Sequence, residues 1–492
     1  MSLFLGVDIG TSSSKGVLVD ADGRVLATAV RPHDVDRPFP GHVEMDGELW
    51  WDEFVSIATE LTDGRQVTAV GVSGMGPCVL LTDGAGRPLR PAILYGVDTR
   101  ATAQIAALTD TLGGAERIRA RCGSALSTQA VGPKLAWIAE HEPAVWARAR
   151  RLFMPASWLA YRLTGGYVLD HHSASQCTPL FDTHDLSWYA PWADRLAPDL
   201  ELPRLGWPAD IAGTTTRAVA GIPAGTPVVT GTIDAWAEAV SADAQNPGDL
   251  MLMYGTTMFL VATTDHPTTA PAMWGTVGAF PGTRNLAGGM ATSGAITGWL
   301  RELSGSPSYE SLLAAAAASG PGARGLLVLP YFAGERTPIM DPDARGVVAG
   351  LTLDHTPGDL YRAVLEATAL GVRHNVDVLR AAGVEIRRVV AVGGGTRGGL
   401  WTQIVSDVTG LAQVVPTVTI GASYGAAYLA AYALTGASIT RWNPPSTVVE
   451  PDPLVRADHD ELYRLYRDLY PATRPVAHAL ARRQRRRASP AS

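Results

Sequence analysis

The chain has 492 residues, of which 18% are charged, and a formal net charge of −7. This length is enough to bury two large hydrophobic cores. Because the net charge is mildly negative, we expect no general affinity for nucleic acid. The three cysteines show no metal-ligand spacing and predict reduced thiols, and no apolar run is long enough to cross a membrane. We therefore expect a cytoplasmic protein that binds neither nucleic acid nor a membrane.

The first predicted element, residues 3–15, is an apolar run that ends in an acid, a glycine, hydroxyl groups and a lysine. This pattern predicts a buried strand that turns at a glycine and delivers its end to a phosphate. The hydroxyl groups offered to phosphate oxygens are those of Thr11, Ser12 and Ser13. Asp8 is then placed to hold Mg²⁺, mostly through water. The order differs from Walker A, and a plain β-hairpin with residues 17–26 is the alternative interpretation.

Two later segments contain similar glycine turns. Residues 250–261 repeat the order strand, Gly-Thr, strand, and two halves that each open with such a hairpin fit a duplicated fold that closes on a nucleotide. The turn residues of this second hairpin are Gly255, Thr256 and Thr257. Residues 389–399 form a third turn between a strand and a helix, which indicates either nucleotide contact or close helix–strand packing. Its central residues are Gly394, Gly395 and Thr396.

Further segments occur in a characteristic order and spacing along the chain. They are residues 41–46 with Trp50 and Trp51, then 90–100, 133–137, 231–234, 329–338 and 363–366. Together with the glycine turns, they resemble the FGGY family of sugar kinases over most of the chain, and the xylulokinase subgroup in particular. The resemblance implies an α/β fold of two domains, actin- and hexokinase-like (ribonuclease H-like), with a cleft between duplicated halves. It also implies ATP-dependent phosphorylation of a small sugar.

The domain boundary is predicted within the polar turn near residues 242–248. We expect an N-terminal kinase domain at 1–243, which would bind the sugar, and a C-terminal kinase domain at 244–440, which would bind adenosine. Residues 441–480 are expected to form a helical extension. The arginine-rich residues 481–492 are predicted to be a solvated, disordered tail rather than a nucleic-acid arm.

Asp234 is the predicted catalytic base. It follows an apolar strand and a glycine just before the second half begins, where a carboxylate would face the cleft. In the family, the aspartate at this position takes the proton from the sugar hydroxyl, and the resemblance carries this role to Asp234. The alternative is that Asp234 caps the helix that follows, a role that is compatible with catalysis.

The resemblance also implies where ATP and Mg²⁺ bind. Asp8 would hold Mg²⁺, and the first turn would surround the transferring phosphate together with Lys15, for which a solvated strand-edge lysine is the alternative. The second turn would contact phosphates from the other half. The third turn, at 394–396, would lie against the adenosine.

For the sugar, Asp98 is the predicted acceptor of hydrogen bonds from two adjacent hydroxyl groups. Arg100 would brace the same loop or contact the substrate, and Met75 and Asp234 would also contact it. Xylulokinases usually carry a Met-His pair near Met75, but Pro77 occupies the histidine position here. The resemblance therefore favours a pentulose such as xylulose and leaves ribulose, erythritol and gluconate open.

Two other classes of protein share parts of this pattern. A dinucleotide-dependent dehydrogenase could use the third turn, but residues 413–417 lack the acid expected for a ribose hydroxyl. A non-catalytic, actin-like nucleotide-binding protein would keep both phosphate turns and would need neither a base nor a sugar pocket. The sequence does not specify the oligomeric state, and a homodimer stays open.

Overall fold

A computed structural model describes residues 2–488, which form two halves that each contain a seven-stranded sheet. The strands of the first half are β1 (Leu3–Ile9), β2 (Ser13–Asp20), β3 (Val25–Pro32), β4 (Glu44–Met45), β5 (Ala69–Gly74), β6 (Leu80–Thr82), β7 (Ala92–Ile93), β8 (Arg151–Phe153), β9 (Val168–Asp170), β10 (Phe181–Asp182), β11 (Ser187–Trp188), β12 (Arg204–Gly206), β13 (Ile211–Thr214), β14 (Pro227–Val229) and β15 (Thr232–Ile233). Its helices are α1 (Gly47–Thr62), α2 (Thr102–Thr111), α3 (Ala115–Cys122), α4 (Val131–His141), α5 (Pro143–Trp146), α6 (Pro155–Thr164), α7 (His171–Ser175), α8 (Ala190–Leu196) and α9 (Asp234–Ser241).

The second half follows the polar turn near residues 242–248. Its strands are β16 (Asp249–Tyr254), β17 (Met258–Thr264), β18 (Trp274–Val277), β19 (Arg284–Met290), β20 (Leu327–Leu329), β21 (Val347–Ala349), β22 (Arg388–Val392), β23 (Gln413–Pro416) and β24 (Pro445–Val449). Its helices are α10 (Gly294–Leu303), α11 (Tyr309–Ser319), α12 (Pro357–Ala381), α13 (Leu400–Thr409), α14 (Ala422–Thr435), α15 (Ile439–Trp442) and α16 (Arg456–Ala488). Short 3₁₀ turns occur at Ala323–Gly325, Gly394–Thr396 and Pro453–Val455.

The two large sheets share one topology. In the first, the order β3-β2-β1-β5-β14-β13 combines an antiparallel meander with parallel strands, and β15 also pairs with β5. In the second, the order β18-β19-β17-β16-β22-β23-β24 repeats this arrangement. β1 and β16 each pair antiparallel with the next strand and parallel with a later one. The predicted two-domain, duplicated α/β fold is therefore confirmed.

Helix α14 belongs to the second half of the sequence but packs on the first sheet. All residues of β1 are buried, as expected for a strand covered on both faces. Glycines allow α14 to approach: a Cβ on Gly6 would lie 2.0 Å from the carbonyl oxygen of Ser423, and one on Gly71 would lie 1.8 Å from that of Ala426. The close approach of this helix fixes one half against the other.

Helices α9 and α14 are the principal link between the halves. A Cβ on Gly425 of α14 would lie 1.9 Å from the carbonyl oxygen of Ala237 in α9, so the two backbones are almost in contact. On the other side of α9, the indole nitrogen of Trp236 donates to Oδ1 of Asn285, at 2.8 Å, in the second sheet. Each half thus contributes one helix that packs against the other half.

The C-terminal region corrects two predictions. Within the expected helical extension, β24 is a strand that pairs with β23 in the second sheet. The arginine-rich segment is helical as far as Ala488 and is not a disordered tail there, because α16 continues through it and Arg485 pairs with Asp343. Residues 489–492 lie outside the described residues. Among residues 2–488, no helix combines the length and apolar character needed to cross a membrane.

Candidate active site

Asp8 lies near the end of β1, at the edge of the first sheet. The parallel register of β1 and β5 places it beside Ser73, whose hydroxyl donates to its Oδ1 at 2.9 Å. Lys15 lies directly opposite Asp8 on β2 and is exposed. Burial raises the pKa of Asp8 well above its ordinary range, and the nearby carboxylate of Asp234 adds to this effect. A cation beside Asp8 would reverse this shift, which fits a metal-holding role.

Asp234 lies at the same sheet edge because β15 pairs with β5. Thr232 lies beside Ser73 in this pairing, so the chain leaves the sheet next to Asp8. Asp234 is the first residue of α9, and Ile233 occupies the N-cap position, so the capping alternative is wrong. Burial raises the pKa of Asp234 to about 6, although a hydrogen bond from the Ala235 amide acts to lower it. The carboxylate is half-buried and able to take up a proton near neutral pH.

Glu238 is a third carboxylate, which the sequence interpretation missed. It lies one helical turn after Asp234, and the backbone amide of Ala422, at the start of α14, acts to lower the pKa of its carboxyl group. Gly421 leaves room for it, since a Cβ there would lie 2.3 Å from Oε2 of Glu238. Burial, with a further contribution from Asp234, raises the pKa of Glu238 to about 7. The i, i+4 spacing of the two carboxylates along a predicted helix was the available signal.

The first phosphate turn is a tight turn between β1 and β2. The amide of Gly10 donates to the carbonyl oxygen of Ser13 at 3.2 Å, and Ser12 is exposed at the tip. The hydroxyl of Thr11 lies 2.9 Å from that of Tyr95. The turn is therefore ordered by its own backbone and by the wall of the cleft, and its tip is open to a ligand.

The second and third turns lie next to each other in the second half. Thr256 and Thr257 are exposed, and the Gly294 amide at the start of α10 donates to the carbonyl oxygen of Gly255 at 3.0 Å. The third turn follows β22, the strand beside β16, so that a Cβ on Gly395 would lie 2.9 Å from Cβ of Tyr254. The residues Gly394, Gly395 and Thr396 thus form a 3₁₀ turn beside the second phosphate turn.

The structure places Asp98 and Arg100 in a closed network behind the cleft. The carboxylate of Asp98 accepts hydrogen bonds from the Val43 amide at 2.6 Å and from Nη2 of Arg100 at 2.7 Å. Arg100 also binds Glu44, at 2.6 Å. The side chains of Asp98 and Arg100 are 0% and 1% exposed, so the predicted sugar contacts do not agree with this geometry. Both residues brace the loop, as one interpretation of Arg100 predicted.

Residues of both halves line a cavity of about 320 Å³, and one of them, Tyr95, contacts Thr11 of the first turn. Its polar lining includes Tyr95, Gln129 and Gln176 from the first half and Arg336 from the second. Nη2 of Arg336 donates to the carbonyl oxygen of Met290, at 2.9 Å, whereas its Nε is buried without a partner among residues 2–488. The cavity therefore presents polar groups of both halves to one enclosed space.

The predicted sugar contact Met75 lies behind the first turn. Its side chain is buried, with the sulfur 3.7 Å from the Thr11 hydroxyl. Among residues 2–488, no group of three or more His, Cys, Asp and Glu side chains is arranged to hold a metal ion. Since Mg²⁺ is often held by one or two carboxylates together with substrate phosphates, Asp8 alone fits such a site. Ser73 occupies one of its two carboxylate oxygens.

Comparison with known proteins identifies the family. The model of the FGGY family of carbohydrate kinases matches residues 3–241 with its N-terminal domain and residues 250–434 with its C-terminal domain. The xylulose kinase of Escherichia coli K12 is 30% identical over 462 residues, which cover 91% of this chain and 92% of that protein. The glycerol kinase of Nocardia farcinica is 33% identical over 454 residues, which cover 87% and 89% of the two chains.

Solved structures agree with this result. The crystal structure of xylulose kinase from Rhodospirillum rubrum has a TM-score of 0.89 at 32% identity, and the match covers 97% of this chain and all of that chain. The predicted resemblance is confirmed, and the dehydrogenase and actin-like alternatives are no longer needed. The chain belongs to the FGGY family of carbohydrate kinases, and it is an ATP-dependent sugar kinase.

Proposed function

We propose that this kinase transfers the γ-phosphate of ATP to a hydroxyl group of a pentulose, with xylulose as the first candidate. The observation that carries the proposal is the meeting of Asp8 and Asp234 at one sheet edge. Tyr95, which contacts the turn after Asp8, also lines a cavity between the halves. Relatives named as xylulose kinases that align over most of the chain support the class of sugar.

Asp234 takes the proton from the attacking hydroxyl in this proposal. A pKa of about 6 keeps its carboxylate mostly ionised at neutral pH and still basic enough to accept a proton. Phosphoryl transfer passes through a loose transition state, so the protein contributes mainly position and charge. The two phosphate turns would hold the ATP phosphates from opposite sides, and Lys15 would stand beside the transferring group.

Asp8 would hold Mg²⁺, with water and phosphate oxygens as the other ligands. When bound, the ion neutralises charge on the phosphates. Ser73 orients the Asp8 carboxylate by donating to one of its oxygens. The third turn, at 394–396, would lie against adenosine in the second half.

The sugar would lie in the cavity between the halves. Tyr95, Gln129, Gln176 and Arg336 supply donors and acceptors for hydroxyl groups there. Pro77 offers no side-chain donor, so hydrogen bonds to the sugar would come from these other residues. In this proposal Asp98 does not contact the sugar directly, and its role is to hold the loop in place.

A cytoplasmic location is part of the proposal. Cys78, Cys122 and Cys177 are all buried and unpaired, which suits a reducing compartment. None of the three lies in a position that the proposed reaction uses.

The test is Mg²⁺-dependent ADP release from purified protein across a panel of sugars and polyols. The panel contains D- and L-xylulose, D- and L-ribulose, erythritol, glycerol and gluconate, and Asp234→Ala is the control. We expect turnover with xylulose or another pentulose and none in the control. Turnover only with glycerol, erythritol or gluconate would contradict the pentulose assignment, and a flat panel despite tight ATP binding would contradict the proposed site.

A further inference from the structure

A buried hydrogen-bonded chain lies behind the first phosphate turn, and no step of the proposed reaction uses it. Nε2 of His33 lies 3.1 Å from the carbonyl oxygen of Gly10, and Nδ1 lies 2.9 Å from a carboxylate oxygen of Glu53. The hydroxyl of Ser14 donates to the same Glu53 oxygen at 2.5 Å. The side chains of His33 and Glu53 are 6% and 10% exposed.

The imidazole of His33 joins two different elements. Nε2 faces the Gly10 carbonyl oxygen of the turn, and Nδ1 faces the Glu53 carboxylate on α1. Both partners are hydrogen-bond acceptors. Arg31, a neighbour on β3, pairs instead with Glu60 at the surface.

His33 also contacts the turn through its backbone. Its amide donates to the carbonyl oxygen of Ser12 at 3.1 Å. Two carbonyl groups of the turn are thus held by one residue, whose side chain is anchored on α1 through Glu53. The second phosphate turn has a different support, because backbone amides at the start of α10 bind it, including that of Gly294 to Gly255.

We propose that His33, anchored by Glu53 and Ser14, is a positioning residue that fixes the turn Gly10–Ser13 and thereby sets the affinity for nucleotide. The inference rests on the proposed binding of ATP phosphates at this turn. Fixing the turn before ATP arrives reduces the entropy that binding must overcome. The effect therefore falls on nucleotide affinity and leaves the affinity for sugar unchanged.

Two matched variants separate the bonds of the imidazole. The side-chain amide in His33→Gln reaches the place of Nε2 and keeps the donor to Gly10, whereas that in His33→Asn reaches the place of Nδ1 and keeps only the bond to Glu53. We expect His33→Asn to weaken ADP binding, measured by calorimetry, about tenfold, and His33→Gln to stay within about twofold of wild type. The KM for sugar and the thermal midpoint should be equal in the two variants. Equal ADP affinities in both variants and the wild type, or equal losses in both, would overturn the proposal.

Ser12→Asp distinguishes failure of the inference from failure of the proposed site. It adds a negative charge at the exposed tip, where phosphates would be repelled. If Ser12→Asp binds ADP like wild type, the phosphates do not lie at this turn and the proposed site is wrong. If Ser12→Asp abolishes binding while the His33 variants leave it unchanged, only the positioning role is wrong.

Discussion

The hairpins β1–β2 and β16–β17 occupy the same place in their sheets but differ in the side chains next to the turn. In the first hairpin, Asp8 lies opposite Lys15. At the matching position of the second, Met253 lies opposite Phe259. The strands that pair parallel with β1 and β16 differ in the same way. β5 places a serine beside Asp8, whereas β22 places Val392 beside Met253. The fold thus supplies two glycine turns, and at these matching positions only the first hairpin carries charged side chains.

The helices that link the halves differ in the same way. α9 begins at Asp234, whereas α14, which follows the corresponding strand of the second sheet, begins at Ala422. Glu238 extends the acidic face of α9 to the start of α14. We infer that both halves contact the ATP phosphates, that the second half also orients the adenosine, and that the first half performs the proton transfer. Four experiments test this comparison of the halves and the link between them.

The largest effect is expected from Asp234→Asn. Loss of a general base typically lowers a rate about 10²–10⁴-fold, and we expect kcat to fall within or beyond that range. The amide has nearly the same shape, so ADP affinity and the thermal midpoint should stay close to wild type. A kcat within tenfold of wild type would place the base elsewhere.

Asp8→Asn and Met253→Leu form a matched pair, one in each hairpin. Removing the Asp8 charge should lower kcat at least about a hundredfold, because the charge that holds the metal is lost. The Met253 variant conserves volume and should keep kcat within about twofold at a stability cost below about 1.5 kcal/mol. Steady-state kinetics gives kcat, and denaturant unfolding gives the change in the free energy of unfolding. Equal kinetic losses would show that the two hairpins contribute equally.

Gly425→Ala tests the link between α9 and α14. The new methyl group would lie 1.9 Å from a backbone carbonyl oxygen that cannot move alone, so we expect a loss of about 1–3 kcal/mol in the free energy of unfolding. Gly298→Ala in α10 is the control, because the nearest atom to its Cβ is 3.8 Å away. It should stabilise the protein by about 0.5–1 kcal/mol. Losses of similar size in both variants would mean that the close contact is unimportant.

The smallest effect is expected from Glu238→Gln. Glu238 has a pKa of about 7, so its carboxyl group is already mostly protonated at the pH where Asp234 titrates. The neutral amide therefore changes the charge near Asp234 little, and the acid limb of the kcat profile should move by less than about one unit. A larger shift would show that a charged Glu238 controls the pKa of Asp234.

Local patterns in the sequence predicted the fold and the three turns, because each depends on neighbouring residues. An apolar strand followed by glycine and hydroxyl groups is identifiable without tertiary context, as at Gly10 and Gly255. The duplicated order of such elements then indicated two halves. The proposed base was also found locally, because Asp234 directly follows a strand and a glycine.

Features that depend on distant partners could not be predicted. Asp98 presented a free carboxylate in the sequence, but Val43 and Arg100 occupy both of its oxygens in the structure. The arginine-rich end of the chain is typical of a disordered tail, but in the structure Arg485 pairs with Asp343 from a distant segment. Glu238 became a site residue only when α14 was brought against α9. In each case the partner lies in another element, and local propensity does not contain that information.

The pH dependence of kcat, measured in wild type and in Asp234→Asn, shows whether Asp234 accepts the proton. A base must be unprotonated, so a pKa raised to about 6 predicts that wild-type kcat is constant above this pH and falls about tenfold per unit below it. The residual activity of Asp234→Asn should lack this acid limb. An acid limb that persists in the variant would show that another group accepts the proton, and would contradict the account.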